Sequence, residues 1–426
     1  MKKRTLLLLV LVVAVLAAAV PAFAGRDPDV AAKGRPLKNN LYIVQMIEDP
    51  VVAYDGGIAG YPATQPAAGK KIDPRASKVV NYAGFLTGKH SQAAAAVGGR
   101  KVYDYVYTFN GFTAALTPEQ AAQLARTPGV LAVTKDEFYT VDTSSTPAFL
   151  GLSAPGGLWD QLGGGGNGGK KTAGPGENII IGIVDSGIWA EHPSFSDRDA
   201  QGKLVYQQIP GWHGKCTPGE QFTAALCNQK LIGGQYFNAA WGGDAGINAQ
   251  RPWESNSVRD YNGHGSHTAS TAGGNYGVAA TGPAATFGSI SGIAPRARIA
   301  AYKALWSTED ASTASGATSD LVAAIDQAVA DGVDVINYSV SGTQTNFLDP
   351  VEIAFLYAAD AGVFVAASAG NSGPTTSTVA HPGPWLTTVA AGTHNRDGQG
   401  SVTLGNNATY SGASVATAVG PAPLID

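Results

Sequence analysis

The chain has 426 residues, room for two or three domains and a large buried core. Charged residues make up 14% of it, against roughly 25% in an average soluble protein, and the formal net charge is −4. That balance gives no argument for nucleic acid or anionic lipid as a partner. The first residues read as an address. Lys2, Lys3 and Arg4 precede a run of mostly Leu, Val and Ala from Thr5 to Val20, and Ala22-Phe23-Ala24 places small residues around a cut. This is the pattern of a secretory signal peptide over residues 1–24, cleaved after Ala24, with an extracellular destination. A membrane anchor fits less well, because the run is shorter than the ~20 apolar residues a span needs.

Residues 41–141 have the pattern of a small α+β unit. Residues 41–46 and 101–107 read as strands, rich in β-branched and aromatic residues, and an Ala-rich stretch around residues 90–97 suits a helix. Thr117, Pro118 and Gln120 supply an N-cap, a first-turn proline and a capping-box partner for a helix over 121–125, and 130–133 is a closing strand. Residues 49–74, full of Gly, Pro and Ala, are expected to form a loose loop. The glycine-rich run 163–169 reads as a linker; no Gly-Lys-Ser/Thr follows it into a helix, so it is no phosphate cradle.

From residue 178 the rhythm becomes α/β. Residues 179–184, 297–303, 333–338 and 363–367 are short and mostly apolar at consecutive positions, as strands covered on both faces are. Residues 319–329 predict an amphipathic helix, with Ser319 as cap, Gly332 as stop and 321, 322, 325, 328 and 329 on one face. Strands alternating with such helices predict a doubly wound parallel sheet, with the site at the strands' C-terminal ends. The only two cysteines, Cys216 and Cys227, most simply form a disulfide in an exported chain; two sulfurs do not by themselves complete a tetrahedral metal site.

Three stretches carry chemistry. Asp185 stops the apolar run 179–184, where a bare carboxylate would be costly to bury. His264 lies in Asn262-Gly263-His264-Gly265-Ser266-His267 at the start of a helix predicted over 266–273, with glycines that let a substrate approach. His264 and His267 would also suit zinc, but a third ligand and a base are lacking, and no metal or other cofactor is expected. Asn371, in Ala369-Gly370-Asn371-Ser372-Gly373, has a side-chain amide that could donate to an oxyanion; a tight turn alone would also favour Asn and Gly.

In this order, Ile183-Val184-Asp185-Ser186-Gly187-Ile188, the His264 motif and the Asn371 motif resemble the subtilases, the subtilisin-like serine proteases. The resemblance covers nearly all of the chain after Thr140, with 292–298 and 331–337 as further matching blocks. It implies roles worked out for subtilisin itself. Asp185 would orient the imidazole, His264 would be the general base, and Asn371 would donate to the tetrahedral oxyanion. Ser339, Val340 and Ser341 would form a strand edge that pairs with the backbone of protein or peptide substrates, with Ser341 standing where relatives usually have Gly. Residues 25–142 would be a ferredoxin-like propeptide that templates folding and blocks the cleft as an intramolecular inhibitor, cut near residues 142–145. Residues 143–426 would be the peptidase domain, resembling the larger plant and bacterial subtilases in which a protease-associated domain is inserted before the serine.

The nucleophile is the part left unassigned. Ser414, in Gly412-Ala413-Ser414-Val415-Ala416, superficially fits, but Gly420, Pro421 and Pro423 cannot propagate the helix that should follow. The expectation is therefore an incomplete peptidase domain, lacking the serine segment and inactive as it stands. The alternative is a non-catalytic protein that binds or inhibits a protease through its propeptide.

Overall fold

The computed structural model describes residues 40–67, 70–135, 138–140, 150–153, 156–163, 174–281, 288–373, 375–392, 399–403 and 409–413. All of them belong to one compact unit, Asn39–Asp426. The expected signal peptide, the expected cut at 142–145, nearly all of the expected glycine linker and Ser414 lie outside the described residues.

The first segment runs β1 (Leu41–Met46), α1 (Ser77–Ala96), β2 (Arg100–Tyr105), β3 (Gly111–Ala115), α2 (Pro118–Leu124) and β4 (Val130–Lys135). Its strands form one antiparallel sheet in the order β2-β3-β1-β4, the ferredoxin-like arrangement. The capping box forms: Thr117 accepts from the Gln120 N–H, and the Gln120 side chain accepts from the Thr117 N–H. Helix α1 begins 13 residues before the Ala-rich stretch that signals it. Strand β3 was not expected, because Gly111, Ala114 and Ala115 are weak strand formers. Tertiary context decides it: β3 is a central strand, and a Cβ on Gly111 would sit 2.1 Å from the Val44 carbonyl oxygen. Among the described residues of 49–74 there is no helix or strand, yet the stretch is not loose. Val51, Val52, Tyr54 and Ile72 are buried, and Tyr54 stacks on Tyr82 with ring centroids 3.8 Å apart.

Beyond β5 (Phe138–Thr140) come β6 (Ile180–Asp185), β7 (Leu231–Tyr236), α3 (His264–Gly273), β8 (Arg298–Lys303), β9 (Ala314–Ala317), α4 (Thr318–Asp331), β10 (Val335–Tyr338), α5 (Pro350–Asp360), β11 (Phe364–Ser368) and β12 (Thr387–Val389). Six of these strands form a parallel sheet, ordered β12-β11-β10-β6-β8-β7. The chain leaves β6 toward β7 and β8 on one side and later returns on the other side with β10. The C-terminal end of β6 is thus the point where strand order reverses, the usual place for a site in such sheets. Gly332 ends α4 in the left-handed conformation (φ 94), as expected, but Ser319 is no cap: it lies inside the first turn and is buried.

Cys216 and Cys227 form the expected disulfide, tying the loop before β7 into a small ring. Chain-entropy arguments give a ring of this size about 2–3 kcal/mol. We predict that much loss of unfolding free energy for the Cys216→Ala/Cys227→Ala double variant in urea titration; an unchanged value would mean that the ring constrains nothing.

Candidate active site

Strand β6 is buried along its whole length, and its last residue, Asp185, is fully buried. The carboxylate is stabilised by four contacts. Oδ1 accepts from the Ser186 N–H at 2.6 Å and from His264 Nδ1 at 2.8 Å. Oδ2 lies 3.0 Å from His264 Nδ1 and accepts from the Thr268 hydroxyl at 3.1 Å. Since a carboxylate only accepts, Nδ1 carries the proton, and Nε2 of a neutral His264 is the basic nitrogen.

Helix α3 begins at His264 itself, two residues before the start read from sequence. Two glycines allow this. A Cβ on Gly265 would lie 2.2 Å from the Gly187 carbonyl oxygen, and Gly187 has φ 123. The first turn of α3 therefore presses against the turn after Asp185, which brings the imidazole onto the carboxylate. Asp260, buried, anchors this turn. Its Oδ1 accepts from the Ser186 hydroxyl and the Gly263 N–H, and its Oδ2 from the N–H and hydroxyl of Ser266, all at 2.7–2.9 Å. A carboxylate at a helix N-terminus also complements the dipole. Asp260 stands in the motif, but only its spacing of three and six residues from Gly263 and Ser266 hints at this capping role.

His267, one turn on, is exposed at its surface, and partial desolvation by its surroundings, with the neighbouring His264, holds it below its ordinary pKa. Among the described residues no cluster of three or more His, Cys, Asp or Glu could hold a metal ion. Beneath the pair, Lys303 on β8 lies in register with Asp185. Its ammonium donates to Glu254 Oε2 at 2.7 Å and to the Arg259 carbonyl at 2.6 Å, while Glu254 Oε1 accepts from the Ser307 N–H at 2.6 Å. Both side chains are fully buried.

Ser339, Val340 and Ser341 follow β10, and Asn371 follows β11, so all lie at the same C-terminal end of the parallel strands as Asp185. Val340 is buried and Asn371 is exposed. A second edge has no signal in the sequence. Strand β9, Ala-Ser-Gly-Ala, pairs antiparallel with β5, placing Ser315 opposite Thr140, Gly316 opposite Tyr139 and Ala317 opposite Phe138. A Cβ on Gly316 would sit 2.1 Å from the Ala304 carbonyl oxygen, so close packing selects glycine where strand propensity would not.

The first segment also rests on α4. Tyr103 donates to Asp320 at 2.7 Å, and Asp326 accepts from the N–H groups of Tyr107 and Thr108 and from the Thr108 hydroxyl at 2.7–3.1 Å. Lys71 reaches the Gly332 carbonyl and Asp334. Burial pushes the Asp326 pKa up from 3.8 to about 6, against the lowering effect of the Thr108 bonds. A carboxyl raised on docking binds a proton on docking. Its contribution to docking is complete below pH 3.8 and is lost as pH rises through about 6. With the first segment cut from the rest, docking is predicted to weaken by up to about a hundredfold from pH 4 to pH 7 through this group. The check is titration of the separated segments at several pH values, where Asp326→Asn should flatten part of the dependence. Identical pH profiles for the two proteins would refute it.

Residues 176–421 match the Subtilase family and residues 41–142 match Peptidase inhibitor I9. The subtilisin-like protease SBT2.5 of Arabidopsis thaliana is 40% identical over 391 residues, covering 89% of this chain and 46% of its own. SBT2.6 of the same plant is 39% identical with the same coverage. The chain thus spans just under half the length of these curated relatives. Among solved structures, fervidolysin from Fervidobacterium pennivorans, a keratinolytic enzyme related to subtilisin, aligns over 70% of this chain and 40% of its own, with 20% identity and a TM-score of 0.40.

Proposed function

Because the chain belongs to the subtilase family and carries an I9 inhibitor module ahead of its subtilase domain, we propose that it is part of a secreted serine endopeptidase made as a zymogen. The observation that carries the reading is the pairing of a fully buried Asp185 with His264 at 2.8 Å, at the reversal point of the parallel sheet.

In this reading Asp185 holds the Nδ1–H tautomer, so His264 Nε2 takes the proton of a serine hydroxyl as that oxygen attacks the scissile carbonyl. The resulting imidazolium is stabilised by Asp185 and returns the proton to the leaving amine. Asn371 donates its amide N–H to the oxyanion, a contribution worth about 3–4 kcal/mol in such sites. Substrate lies extended between the β9 edge and residues 339–341, and β5 holds that place in the zymogen. No described serine is assigned as nucleophile. Among the described residues no helix is long and apolar enough to cross a membrane, and the leader of residues 1–24 supports export.

The test combines casein hydrolysis by the whole protein with labelling by a serine-reactive fluorophosphonate, the labelled residue being mapped by mass spectrometry. Hydrolysis, with label on one serine, supports the reading and names the nucleophile, Ser414 or a serine beyond residue 426. Neither hydrolysis nor labelling after removal of the first segment would refute it.

A further inference from the structure

A buried histidine lies beside residues 339–341, outside the catalytic steps just described. His381 is 2% exposed and Glu352, on α5, is 0% exposed. Nδ1 of His381 meets Oε1 of Glu352 at 2.6 Å, and Nε2 meets the carbonyl oxygen of Val340 at 3.0 Å. The Val340 oxygen only accepts, so Nε2 carries a proton, and the short contact to the carboxylate shares a second one. The Gly383 N–H donates to the other oxygen of Glu352 at 3.2 Å, and Tyr338 and Phe355 pack edge-on against the ring. His381 also has φ 55, a left-handed conformation unfavourable for a residue with a Cβ, which persists only where the surroundings fix it.

Successive residues of an extended chain turn their main-chain groups to alternate edges. Val340 is the middle residue of the edge formed by Ser339, Val340 and Ser341. With the Val340 carbonyl held by His381, extended backbone on either side directs the Ser339 and Ser341 carbonyls away from the imidazole. Gly342 completes the fit, since a Cβ there would lie 2.2 Å from the imidazole. The same short segment ties the stretch after Val340 to the stretch before Asn371. The His381 N–H donates to the Thr343 carbonyl at 2.8 Å, and the Ala380 N–H donates to the Ala369 carbonyl, two residues before Asn371, at 3.0 Å.

We infer that His381, braced by Glu352, is a positioning residue for extended substrates: it takes the place of a neighbouring strand behind Val340 and sets the edge along which a peptide main chain pairs. This rests on the protease reading above. In the whole protein, His381→Phe keeps a ring among its aromatic neighbours and removes both polar contacts. KM for a substrate spanning four residues before the cut should rise roughly tenfold with kcat little changed, and a single-residue ester should be hydrolysed as before. His381→Gln, whose amide can still donate to Val340, should recover most of the loss. Equal losses on both substrates, or none on either, overturn the inference. If the unaltered protein hydrolyses neither substrate, the protease reading fails instead, and amide exchange in the 426-residue chain decides the present one. His381→Phe should then speed exchange over residues 339–343 about tenfold and leave α4 unchanged. Unchanged exchange at 339–343, or faster exchange in α4 as well, overturns it.

Discussion

Replacing His264 with alanine is expected to lower kcat about a millionfold, and Asp185→Asn about ten-thousandfold, in the protein carrying its complete triad. These magnitudes are those of the serine protease triads that define the mechanism, subtilisin's among them, carried over to matching positions. A millionfold is about 8 kcal/mol of transition-state stabilisation. The geometry explains why the two losses differ. Without the imidazole nothing near the nucleophile takes its proton. With asparagine at 185 the base remains, but the side-chain amide can donate to Nδ1 and favour the wrong tautomer. The two groups act as a unit, so the double variant should lose little more than His264→Ala alone. The measurement is kcat normalised by active-site titration. A loss under about a hundredfold for His264→Ala would remove His264 from the role of general base.

The second large effect is on stability. Lys303→Met should cost about 3–5 kcal/mol of unfolding free energy, because it leaves the Glu254 carboxylate buried without its cation. Glu254 would keep only the Ser307 N–H, and the Arg259 carbonyl would lose its donor as well. The pair ties the loop carrying Glu254, Arg259 and Asp260 to the strand beside β6, so the His264 turn loses its floor. Adding Glu254→Leu removes the stranded charge, and the double variant should be less destabilised than the two single losses added together. Urea unfolding at constant pH gives all three values. A loss below about 1 kcal/mol for Lys303→Met would mean that water reaches the carboxylate and the pair is not a buried one.

The parts of this molecule legible in its sequence are those written in local pattern. Residues 179–184 show themselves as a strand covered on both faces because five of the six are Ile or Val and the sixth is Gly, and the carboxylate that ends the run needs a partner wherever it is folded. The capping box at Thr117 and Gln120 is equally local. The invisible parts are contacts between residues far apart in sequence. Asp326 reads as a solvent-facing position of an amphipathic helix until the loop 106–108 is laid upon it. His381 and Glu352 are 29 residues apart with no spacing that suggests a pair. Strand β9 is composed of residues that do not favour strands, and exists because β5 and the Trp306–Ser307 strand pair with it.

Pairing between β5 and β9 has a consequence for solubility. Main-chain hydrogen bonds are blind to sequence, so an open sheet edge accepts any extended chain, another copy of itself included. While β5 is in place that edge is paired within the molecule. Under the proposed reading, cutting β5 away would leave a short edge poor in charge open until substrate arrived. That interval is when the protein is most prone to self-association. In the proposed zymogen reading, the strand that would delay activity would therefore also cover this edge until the first substrate takes over.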